Sequence, residues 1–289
     1  MTESPTSSPN AQQIAFWNGE EGAKWASSNE RLDQMLERIG QHIVARAAPR
    51  PGEAVIDVGC GGGATLAMLA HHVGREGHVT GIDISAPLLA IAQARAKLAT
   101  ASAEVVQADA ETHPLPERRY DLAFSRFGVM FFANPANAFV NLRRALKPGG
   151  RLAFVCWRAM AINPWMMVPR GVVTRYVAPP LRPADPTAPG PFAFADPMRI
   201  RGILAEAGFG AFQIESFDTE VVAGGGTLEG AVVATTRDGP LAGLVSQLDA
   251  DQRRKLEEDL RDAYRPFVQA DGRIQLPAAC WVVTGRVTG

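Results

Sequence analysis

The sequence predicts an α/β fold built around a mostly parallel β-sheet with helices on both faces. Between residues 54 and 157, short runs rich in β-branched residues alternate with segments of helical periodicity, as in repeated strand–helix units. The chain has 289 residues, of which 46% are hydrophobic, enough for one elaborated domain with a substantial core. We therefore expect a single folding unit with additions at its flanks.

Five core strands are predicted, at residues 54–58, 78–84, 104–109, 120–125 and 151–157. After the first strand, Leu66, Leu69 and Val73 recur at spacings of three and four, which places them on the helix face that meets the sheet. Ser85 is a predicted helix N-cap, with Pro87 tolerated in the first helical turn. These signals divide residues 49–157 into alternating strands and helices.

The flanks predict the rest of the domain organisation. Residues 1–10 are polar and rich in Ser and Pro, which indicates a disordered tail, and residues 11–48 predict an N-terminal helical lid. Residues 158–195 lack a clear period and are rich in Pro and aromatic residues, as expected of an insertion that lines a substrate pocket.

The C-terminal part, residues 196–289, mixes strand and helix patterns. Two strand-like segments, 212–222 and 279–287, are expected to pair as antiparallel strands that close the sheet, with inserted helices between them.

Composition narrows the class of partner. Lys and Arg total 29 and Asp and Glu total 30, so the net charge of −1 creates no field that attracts nucleic acid or an anionic membrane. The three cysteines are widely separated in apolar runs, which indicates neither a disulfide framework nor a metal site. We expect a cytoplasmic protein, monomeric or homodimeric, that acts on a small molecule without a metal, a nucleic acid or a membrane.

Three aspartates follow successive predicted strands at equal intervals, namely Asp57, Asp83 and Asp109. In an open parallel sheet, ligands bind outside the carboxyl ends of the strands. Asp83 is placed to accept hydrogen bonds from a ribose diol, and Asp109 with the backbone of Ala110 is placed to meet an adenine ring. One such aspartate is as often a helix cap, but three together indicate a nucleoside site.

The glycine loop after the first strand leaves two cofactors to consider. Gly59, Gly61 and Gly63 let the backbone approach a ligand, and with Ala64 they satisfy the GxGxxA pattern of nicotinamide-dependent oxidoreductases. Asp57 argues against that alternative, because its carboxylate would repel a diphosphate but would favour the sulfonium and ammonium groups of S-adenosylmethionine.

In combination, these segments resemble the class I S-adenosylmethionine-dependent methyltransferases, in particular the ubiquinone/menaquinone-biosynthesis-like group known as type 11. The matching segments are VIDVGCGGG (55–63), GIDIS (81–85), QADAETHPLPERRYDLAFSRFGVMFF (107–132) and LRRALKPGGRLAFVCW (142–157). The resemblance implies a Rossmann-like fold with a seven-stranded sheet whose last strand is antiparallel. The flanks match less specifically, so no substrate is implied.

The resemblance also implies where S-adenosylmethionine, and its product S-adenosylhomocysteine, would lie. Asp57, Gly59 and Gly61 are implied contacts of the methionine end, and Asp83 and Ile84 of the ribose and adenine. Asp109 and Ala110 are implied at the adenine, and Ser125 and Arg126 as backbone contacts near the amino group. The predicted cofactor-binding set also includes Trp17, Trp25, Cys60 and Leu88. Nothing near Cys60 would form its thiolate, so we do not expect a nucleophile there.

Aromatic residues predict the remaining walls. Trp17 and Trp25 are either core residues of the helical cap or part of a lid whose rings face the cofactor's sulfonium. Lys24 or Arg31 either pairs with the cofactor's carboxylate or lies on a solvated helix face. The predicted substrate-pocket residues are Phe16, Phe127, Met130, Phe131, Trp157 and Trp165.

These residues predict methyl transfer to a small lipophilic or aromatic acceptor. In-line displacement from a sulfonium needs mainly alignment and exclusion of water, and a general base only where the acceptor keeps its proton. His113 is the weak candidate for that base, and a surface-loop histidine is the competing interpretation. The alternatives are a noncatalytic nucleoside-binding regulator and, disfavoured by Asp57, a nicotinamide-dependent oxidoreductase.

Overall fold

A seven-stranded sheet organises the protein in the computed structural model, which describes residues 10–177 and 185–287. Its strands are β1 (Ala54–Val58), β2 (His78–Asp83), β3 (Ser102–Gln107), β4 (Tyr120–Arg126), β5 (Leu146–Trp157), β6 (Ala211–Val222) and β7 (Gln275–Arg286). They are ordered β3-β2-β1-β4-β5-β7-β6. β7 pairs antiparallel with β5 and β6, whereas the other neighbours pair in parallel. The sheet is therefore mixed, with the antiparallel strand near one edge, as predicted.

Helices surround this sheet. They are α1 (Ala11–Asn18), α2 (Glu20–Ser27), α3 (Asn29–Ala47), α4 (Ala64–Val73), α5 (Ala86–Lys97), α6 (Pro135–Ala145), α7 (Pro164–Val173), α8 (Pro197–Glu206), α9 (Leu228–Val233), α10 (Ala242–Val245) and α11 (Ala250–Tyr264). All five residues of β1 are buried, so helices cover both faces at the centre of the sheet.

The local signals in the core are confirmed. Leu66, Leu69 and Val73 are fully buried on α4. The Ser85 hydroxyl caps α5 by accepting a hydrogen bond from the backbone N–H of Leu88 at 3.4 Å. The predicted apolar residues are thus buried, and the predicted N-cap residue does cap its helix.

Several strand boundaries differ from the prediction, most of them by one or two residues. β5 begins at Leu146, five residues before its predicted start, because Leu146 already pairs with Tyr120 of β4. β3 ends at Gln107, because Asp109 belongs to a turn in which its carboxylate accepts the backbone N–H of Glu111 at 3.0 Å. β7 begins at Gln275, four residues before the predicted start, because it pairs with β6 along its whole length, from Val222 opposite Gln275 onward.

A helical subdomain forms beside the carboxyl ends of the strands. It combines α7 with residues 223–274, the segment between β6 and β7, around a separate cluster of buried residues that includes Val172, Leu256, Leu260 and Ile274. Between α9 and α10 the chain forms a π-helix, Ala234–Asp238.

Some predictions fall outside the described residues. They are the disordered tail, apart from Asn10, and positions 178–184 of the predicted insertion. Within residues 10–177 and 185–287, no helix combines the length and the apolar character that a bilayer span requires.

Candidate active site

A cavity of about 350 Å³ runs along the carboxyl ends of β1, β2, β4 and β5 and into the helical subdomain. This volume is within the range of small-molecule sites. We call its two halves the loop end, formed by residues 59–62, 82–84 and 108–110, and the aromatic end, formed by Phe127, Trp157, Trp165, Met166, Thr235 and Tyr264.

The glycine loop at the loop end is pinned in place by neighbouring strands. Gly59 has a φ of +67°, and a Cβ there would lie 2.7 Å from the Cα of Gly128, in the loop after β4. The backbone N–H of Gly59 donates to the Ile82 carbonyl at 2.8 Å. Only glycine therefore permits both this backbone conformation and the close approach of the two loops.

Asp83 lies at the end of β2 on the cavity wall. One carboxylate oxygen accepts the backbone N–H of Gly61 and the other accepts that of Ser85, each at 2.8 Å. Burial raises the pKa of Asp83, while these backbone donors oppose the rise. Each carboxylate oxygen can accept a further hydrogen bond, which suits the paired hydroxyls of a ribose.

Asp109 lines the same end of the cavity, and one of its carboxylate oxygens has no hydrogen-bond partner among the described residues. Its Oδ1 accepts the backbone N–H of Glu111 at 3.0 Å, whereas its buried Oδ2 has no hydrogen-bond partner among residues 10–177 and 185–287. An unpaired buried carboxylate oxygen is costly, so it is expected to receive a donor from a bound ligand. The exocyclic amino group of adenine is such a donor, and these residues therefore fit the predicted nucleoside.

Asp57 is not among the residues that line the cavity, and its predicted contact with the methionine end of the cofactor stays a prediction. Its side chain is fully buried beneath the glycine loop, where it accepts a hydrogen bond from the Thr65 hydroxyl at 2.6 Å. Burial raises the pKa of Asp57 to about 7, against the opposing effects of Thr65 and Arg126. Of the carboxylates of Asp57 and Asp83, only that of Asp83 lines the cavity. Asp83 is therefore the residue that would repel a diphosphate bound there.

Arg126 is on the wall as predicted, but its side chain takes part in a network that sequence reasoning missed. Asp33 on α3 pairs with Arg95 at 2.8 Å and with Arg126 at 3.6 Å, and accepts a hydrogen bond from Asn29 at 2.9 Å. Arg95 in turn donates to the carbonyl of Gly62 at 2.9 Å. The i,i+4 spacing of Asn29 and Asp33 could have indicated part of this network from the sequence, since it places both side chains on one helix face.

The N-terminal helices cover the loop end. Asn18 donates to the carbonyl of Ile84 at 2.8 Å and accepts the backbone N–H of Ala86 at 3.0 Å. The Ser85 hydroxyl donates to the carbonyl of Trp17 at 2.9 Å. The Trp17 ring meets that of Trp25 edge to face, with centroids 5.2 Å apart, and both rings line the cavity.

Most of the predicted site residues meet in this one cavity. Those on its wall are Trp17, Trp25, Gly59, Cys60, Gly61, Asp83, Ile84, Leu88, Asp109, Ala110, Arg126, Phe127, Met130, Phe131, Trp157 and Trp165. Burial raises the pKa of the Cys60 thiol well above its ordinary value, which agrees with a packed residue. Their individual roles in binding remain predictions.

Phe16, Ser125 and His113, like Asp57, are absent from the wall. Phe16 points outward and is 46% exposed. The Ser125 hydroxyl supports the loops instead, because it donates to the carbonyl of Val58 at 2.7 Å and accepts the backbone N–H of Gly128 at 3.1 Å. His113 is half-buried in the loop after β3, which favours the surface-loop interpretation over a general base.

Stacked rings build the aromatic end. Phe127 lies against Trp157 with ring centroids 4.1 Å apart and an interplanar angle of 13°, and Trp157 meets Trp165 at 4.6 Å. Phe127 has a φ of +63°, an uncommon conformation for a residue with a side chain. Its backbone N–H donates to the carbonyl of Val155 at 3.0 Å, so ring stacking and this bond hold the strained turn.

Few polar groups reach the aromatic end. Thr235 and Tyr264 share a hydrogen bond of 2.7 Å between their hydroxyl oxygens. Arg31 lines the cavity, forms an ion pair with Asp238 and donates to the Ser28 hydroxyl at 3.0 Å, and its pairing with the cofactor's carboxylate stays a prediction. In the described ranges, no group of three His, Cys, Asp or Glu side chains is arranged to hold a metal ion.

Comparison with known proteins finds relatives of the core of this chain. Residues 56–154 match the family model described as a methyltransferase domain. Aklanonic acid methyltransferase DauC of Streptomyces sp. (strain C5) is 34% identical over 131 residues, covering 45% of this chain and 60% of that protein. The ubiquinone/menaquinone biosynthesis C-methyltransferase UbiE of Shewanella piezotolerans is 32% identical over 133 residues, covering 45% of this chain and 53% of its own.

Solved structures extend the likeness of fold over the whole chain. Phosphoethanolamine N-methyltransferase 2 of Haemonchus contortus, solved with phosphomonomethylethanolamine and S-adenosylhomocysteine, has a TM-score of 0.58 at 16% identity and covers 99% of this chain and 61% of that one. The resemblance of the core to type 11 methyltransferases is thus confirmed, with a Rossmann-like methyltransferase fold. The chain spans only 53% to 60% of the length of the two sequence relatives.

Proposed function

We propose that this protein is an S-adenosylmethionine-dependent methyltransferase that acts on a small lipophilic or aromatic acceptor. The observation that carries the proposal is the continuity of the cavity, which joins two carboxylates at strand ends, Asp83 and Asp109, to a stack of aromatic rings. A nucleoside-binding regulator would need the loop end of this cavity but not the aromatic end.

The loop end supplies the groups that would hold the cofactor. Asp83 would accept the ribose hydroxyls, and Asp109 Oδ2 would accept the adenine amino group that satisfies it. Trp17 and Trp25 would cover the ligand from the N-terminal side. S-adenosylmethionine supplies, when bound, a methyl group made electrophilic by its sulfonium.

The chain contributes alignment and exclusion of water to the transfer. Aromatic faces favour a nearby sulfonium, and the apolar surroundings keep competing water away from the reaction. Tyr264 does not act as a base at neutral pH, because burial raises its pKa to about 12, and the nearby Asp238 carboxylate is engaged in an ion pair with Arg31. The proposed acceptor therefore brings a nucleophile that needs little help from a base.

The aromatic end also supports the proposed acceptor class. Phe127, Trp157 and Trp165 line the cavity, and flat aromatic ligands pack well against such rings. The names of two sequence relatives refer to aklanonic acid and to ubiquinone and menaquinone biosynthesis, which agrees with a ring-containing acceptor.

The proposal is tested by binding and turnover together. Calorimetric titration is expected to show binding of S-adenosylmethionine and S-adenosylhomocysteine but not of NADH. Methyl-labelled S-adenosylmethionine is then incubated with hydroxylated aromatics, hydroquinones and aliphatic amines. Label transfer confined to the ring compounds supports the full proposal, transfer to the amines alone contradicts the acceptor class, and binding of S-adenosylhomocysteine without any transfer favours a regulator.

A matched pair of variants locates the cofactor. Asp83→Asn is expected to weaken S-adenosylhomocysteine binding about 100-fold, since the neutral amide loses charge-assisted hydrogen bonds. Asp121→Asn is the control: Asp121 also accepts a backbone N–H, from Ala54 at 2.9 Å, but lies at the opposite end of the sheet. Equal losses in both variants would contradict the assignment of Asp83.

A further inference from the structure

Two hydroxyl side chains face the aromatic end from the helical subdomain. Tyr264 is the last residue of α11 and Thr235 belongs to the π-helix, and both line the cavity. They are 3% and 7% exposed, and their hydroxyl oxygens are 2.7 Å apart. Nothing in the proposed cofactor contacts uses them, so their presence in an apolar wall needs a separate explanation.

The direction of the hydrogen bonds decides what Tyr264 offers to the cavity. The Thr235 hydroxyl donates to the backbone carbonyl of Ala231 at 3.0 Å. A hydroxyl has a single hydrogen, so Thr235 must accept the bond that it shares with Tyr264. Tyr264 therefore uses its own hydrogen on Thr235 and keeps lone pairs available on its phenol oxygen.

The backbone at Thr235 supports a functional interpretation. Residues Ala234–Asp238 form a π-helix directly after α9. Such turns are rare and occur often at functional sites, because the wider turn displaces side chains from the regular helical positions. Here the π-helix carries three residues of the cavity wall, Ala234, Thr235 and Asp238.

The surroundings make Tyr264 a neutral acceptor of hydrogen bonds. Ala231 and Leu241, which also line the cavity, belong to the same apolar cluster as Tyr264. Burial raises the pKa of Tyr264 to about 12, so the phenol keeps its hydrogen at neutral pH and does not act as a base.

We propose that Tyr264, oriented by Thr235, binds the acceptor by accepting a hydrogen bond from a hydroxyl or N–H group on it. The inference rests on the proposed function and narrows its substrate class. The acceptor is an aromatic molecule that carries an uncharged hydrogen-bond donor, and analogues in which that donor is blocked bind less well.

The test compares two ligands that differ in a single blocked hydroxyl. 1-Naphthol and 1-methoxynaphthalene are titrated calorimetrically into the protein saturated with S-adenosylhomocysteine. The wild-type protein is expected to bind 1-naphthol about 10-fold more tightly, as one hydrogen bond in an apolar site allows. Tyr264→Phe is expected to remove this preference while binding of S-adenosylhomocysteine stays unchanged.

Two further variants keep the test decisive. Thr235→Val removes the partner that takes the Tyr264 hydrogen, so the phenol is free to donate and the preference for 1-naphthol is expected to shrink. Tyr120→Phe is the matched control, because Tyr120 is equally buried and its hydroxyl contacts Thr80 at 3.4 Å, outside the cavity. This variant is expected to keep the wild-type preference.

The outcomes separate this inference from the proposed function. A Tyr264→Phe protein that retains the full preference for 1-naphthol, or a wild-type protein that binds the two naphthalenes equally or not at all, overturns the inference. Failure of the proposed function gives a different result, in which S-adenosylhomocysteine does not bind to the wild-type protein.

Discussion

The two ends of the cavity are built in different ways. The loop end comes from turns that directly follow β1, β2 and β3, and it carries half-buried carboxylates that accept hydrogen bonds from backbone N–H groups. The aromatic end is assembled from the ends of β4 and β5, from α7 and from residues 223–274, and its polar groups are hydroxyls and one ion pair. The loop end is thus fixed by the sheet, whereas the aromatic end depends on how the helical subdomain packs.

This difference separates two kinds of specificity. A rigid strand-end site suits a ligand common to many enzymes, because its hydrogen bonds cannot change without disturbing the sheet. A wall made from distant segments can change side chain by side chain. Changes at the loop end should therefore affect cofactor binding and folding together, and changes at the aromatic end should affect only the acceptor.

The largest effect is expected for Gly59→Ala. The new Cβ would lie 2.7 Å from the Gly128 Cα, a backbone atom that cannot move aside, and the positive φ adds strain. We expect a loss of about 3–5 kcal/mol in the free energy of unfolding and loss of S-adenosylhomocysteine binding. Urea unfolding and calorimetry measure the two.

Gly52→Ala is the control for Gly59→Ala. Gly52 also has a positive φ, of +82°, but a Cβ there would meet no atom closer than 3.9 Å. It should lose about 1 kcal/mol of stability and keep its affinity for the nucleoside. Equal losses of stability and affinity in the two variants would mean that backbone strain alone, and not the close contact between the loops, explains the requirement for glycine at position 59.

The second prediction concerns the pH dependence of stability. Burial raises the pKa of Asp57 from 3.8 to about 7, so the folded state binds more protons than the unfolded chain between these values. Stability contributed by this group is therefore lost as the pH rises through that window. Asp57→Asn has no such charge, and its stability relative to wild type should increase by about 2–4 kcal/mol between pH 4 and pH 8.

Urea unfolding of both proteins across this pH range measures the difference. Asp121→Asn provides a control of opposite sign, because the pKa of Asp121 is lowered by its ion pair with Lys147 despite its partial burial. Because the pKa of Asp121 is lowered from 3.8, that variant should lose stability relative to wild type only as the pH rises towards 3.8. The difference should stay nearly constant between pH 4 and pH 8. Parallel curves for wild type and Asp57→Asn would show that Asp57 titrates normally.

The third prediction addresses the aromatic end. Trp165→Ala removes the outer ring of the Phe127–Trp157–Trp165 stack and is expected to lower kcat/KM for an aromatic acceptor about 10-fold. S-adenosylhomocysteine affinity should not change. Trp281→Ala, which removes a ring that lies off the cavity beneath Arg158, should leave both quantities unchanged. A parallel loss of cofactor affinity in Trp165→Ala would mean that the two ends are not independent.

The smallest effect is expected for the ion pair between Arg31 and Asp238, which joins α3 to the π-helix. Both side chains are about one third exposed, so the pair should contribute only about 0.5 kcal/mol. Arg31→Met is expected to speed amide hydrogen exchange in residues 234–238 about 2-fold. Arg254→Met, which removes an exposed pair with Asp251 on α11, should leave that exchange rate unchanged. If both variants exchange alike, the pair does not restrain the cavity.

Local chemistry explains why the fold was largely predictable from sequence. The periodicity of Leu66, Leu69 and Val73 and the cap at Ser85 depend on near neighbours, and β-branched runs marked the core strands. The boundaries of β3 and β7 were less predictable, since a turn hydrogen bond at Asp109 ends one strand and pairing with β6 sets the start of the other.

The site residues were likewise predictable only where a local sequence pattern marked them. Asp83 and Asp109 were identified because each follows a strand, and strand ends converge in a parallel sheet. Asp57 was placed at the cavity for the same reason, but its side chain is buried and hydrogen-bonded to Thr65. Sequence does not reveal on which side of the loop a carboxylate lies. Thr235 and Tyr264 gave no signal, because 29 positions separate them and a π-helix brings one of them to the cavity.

The position of residues 223–274 has a consequence for how such a protein diversifies. Val222 and Gln275, which flank this segment, are paired neighbours on adjacent antiparallel strands, so the segment leaves and re-enters the sheet at one place. Its length and sequence can therefore change during evolution without altering the register of any strand. Exchange of this single segment between related chains is a direct route to new acceptors, with the nucleoside machinery inherited intact.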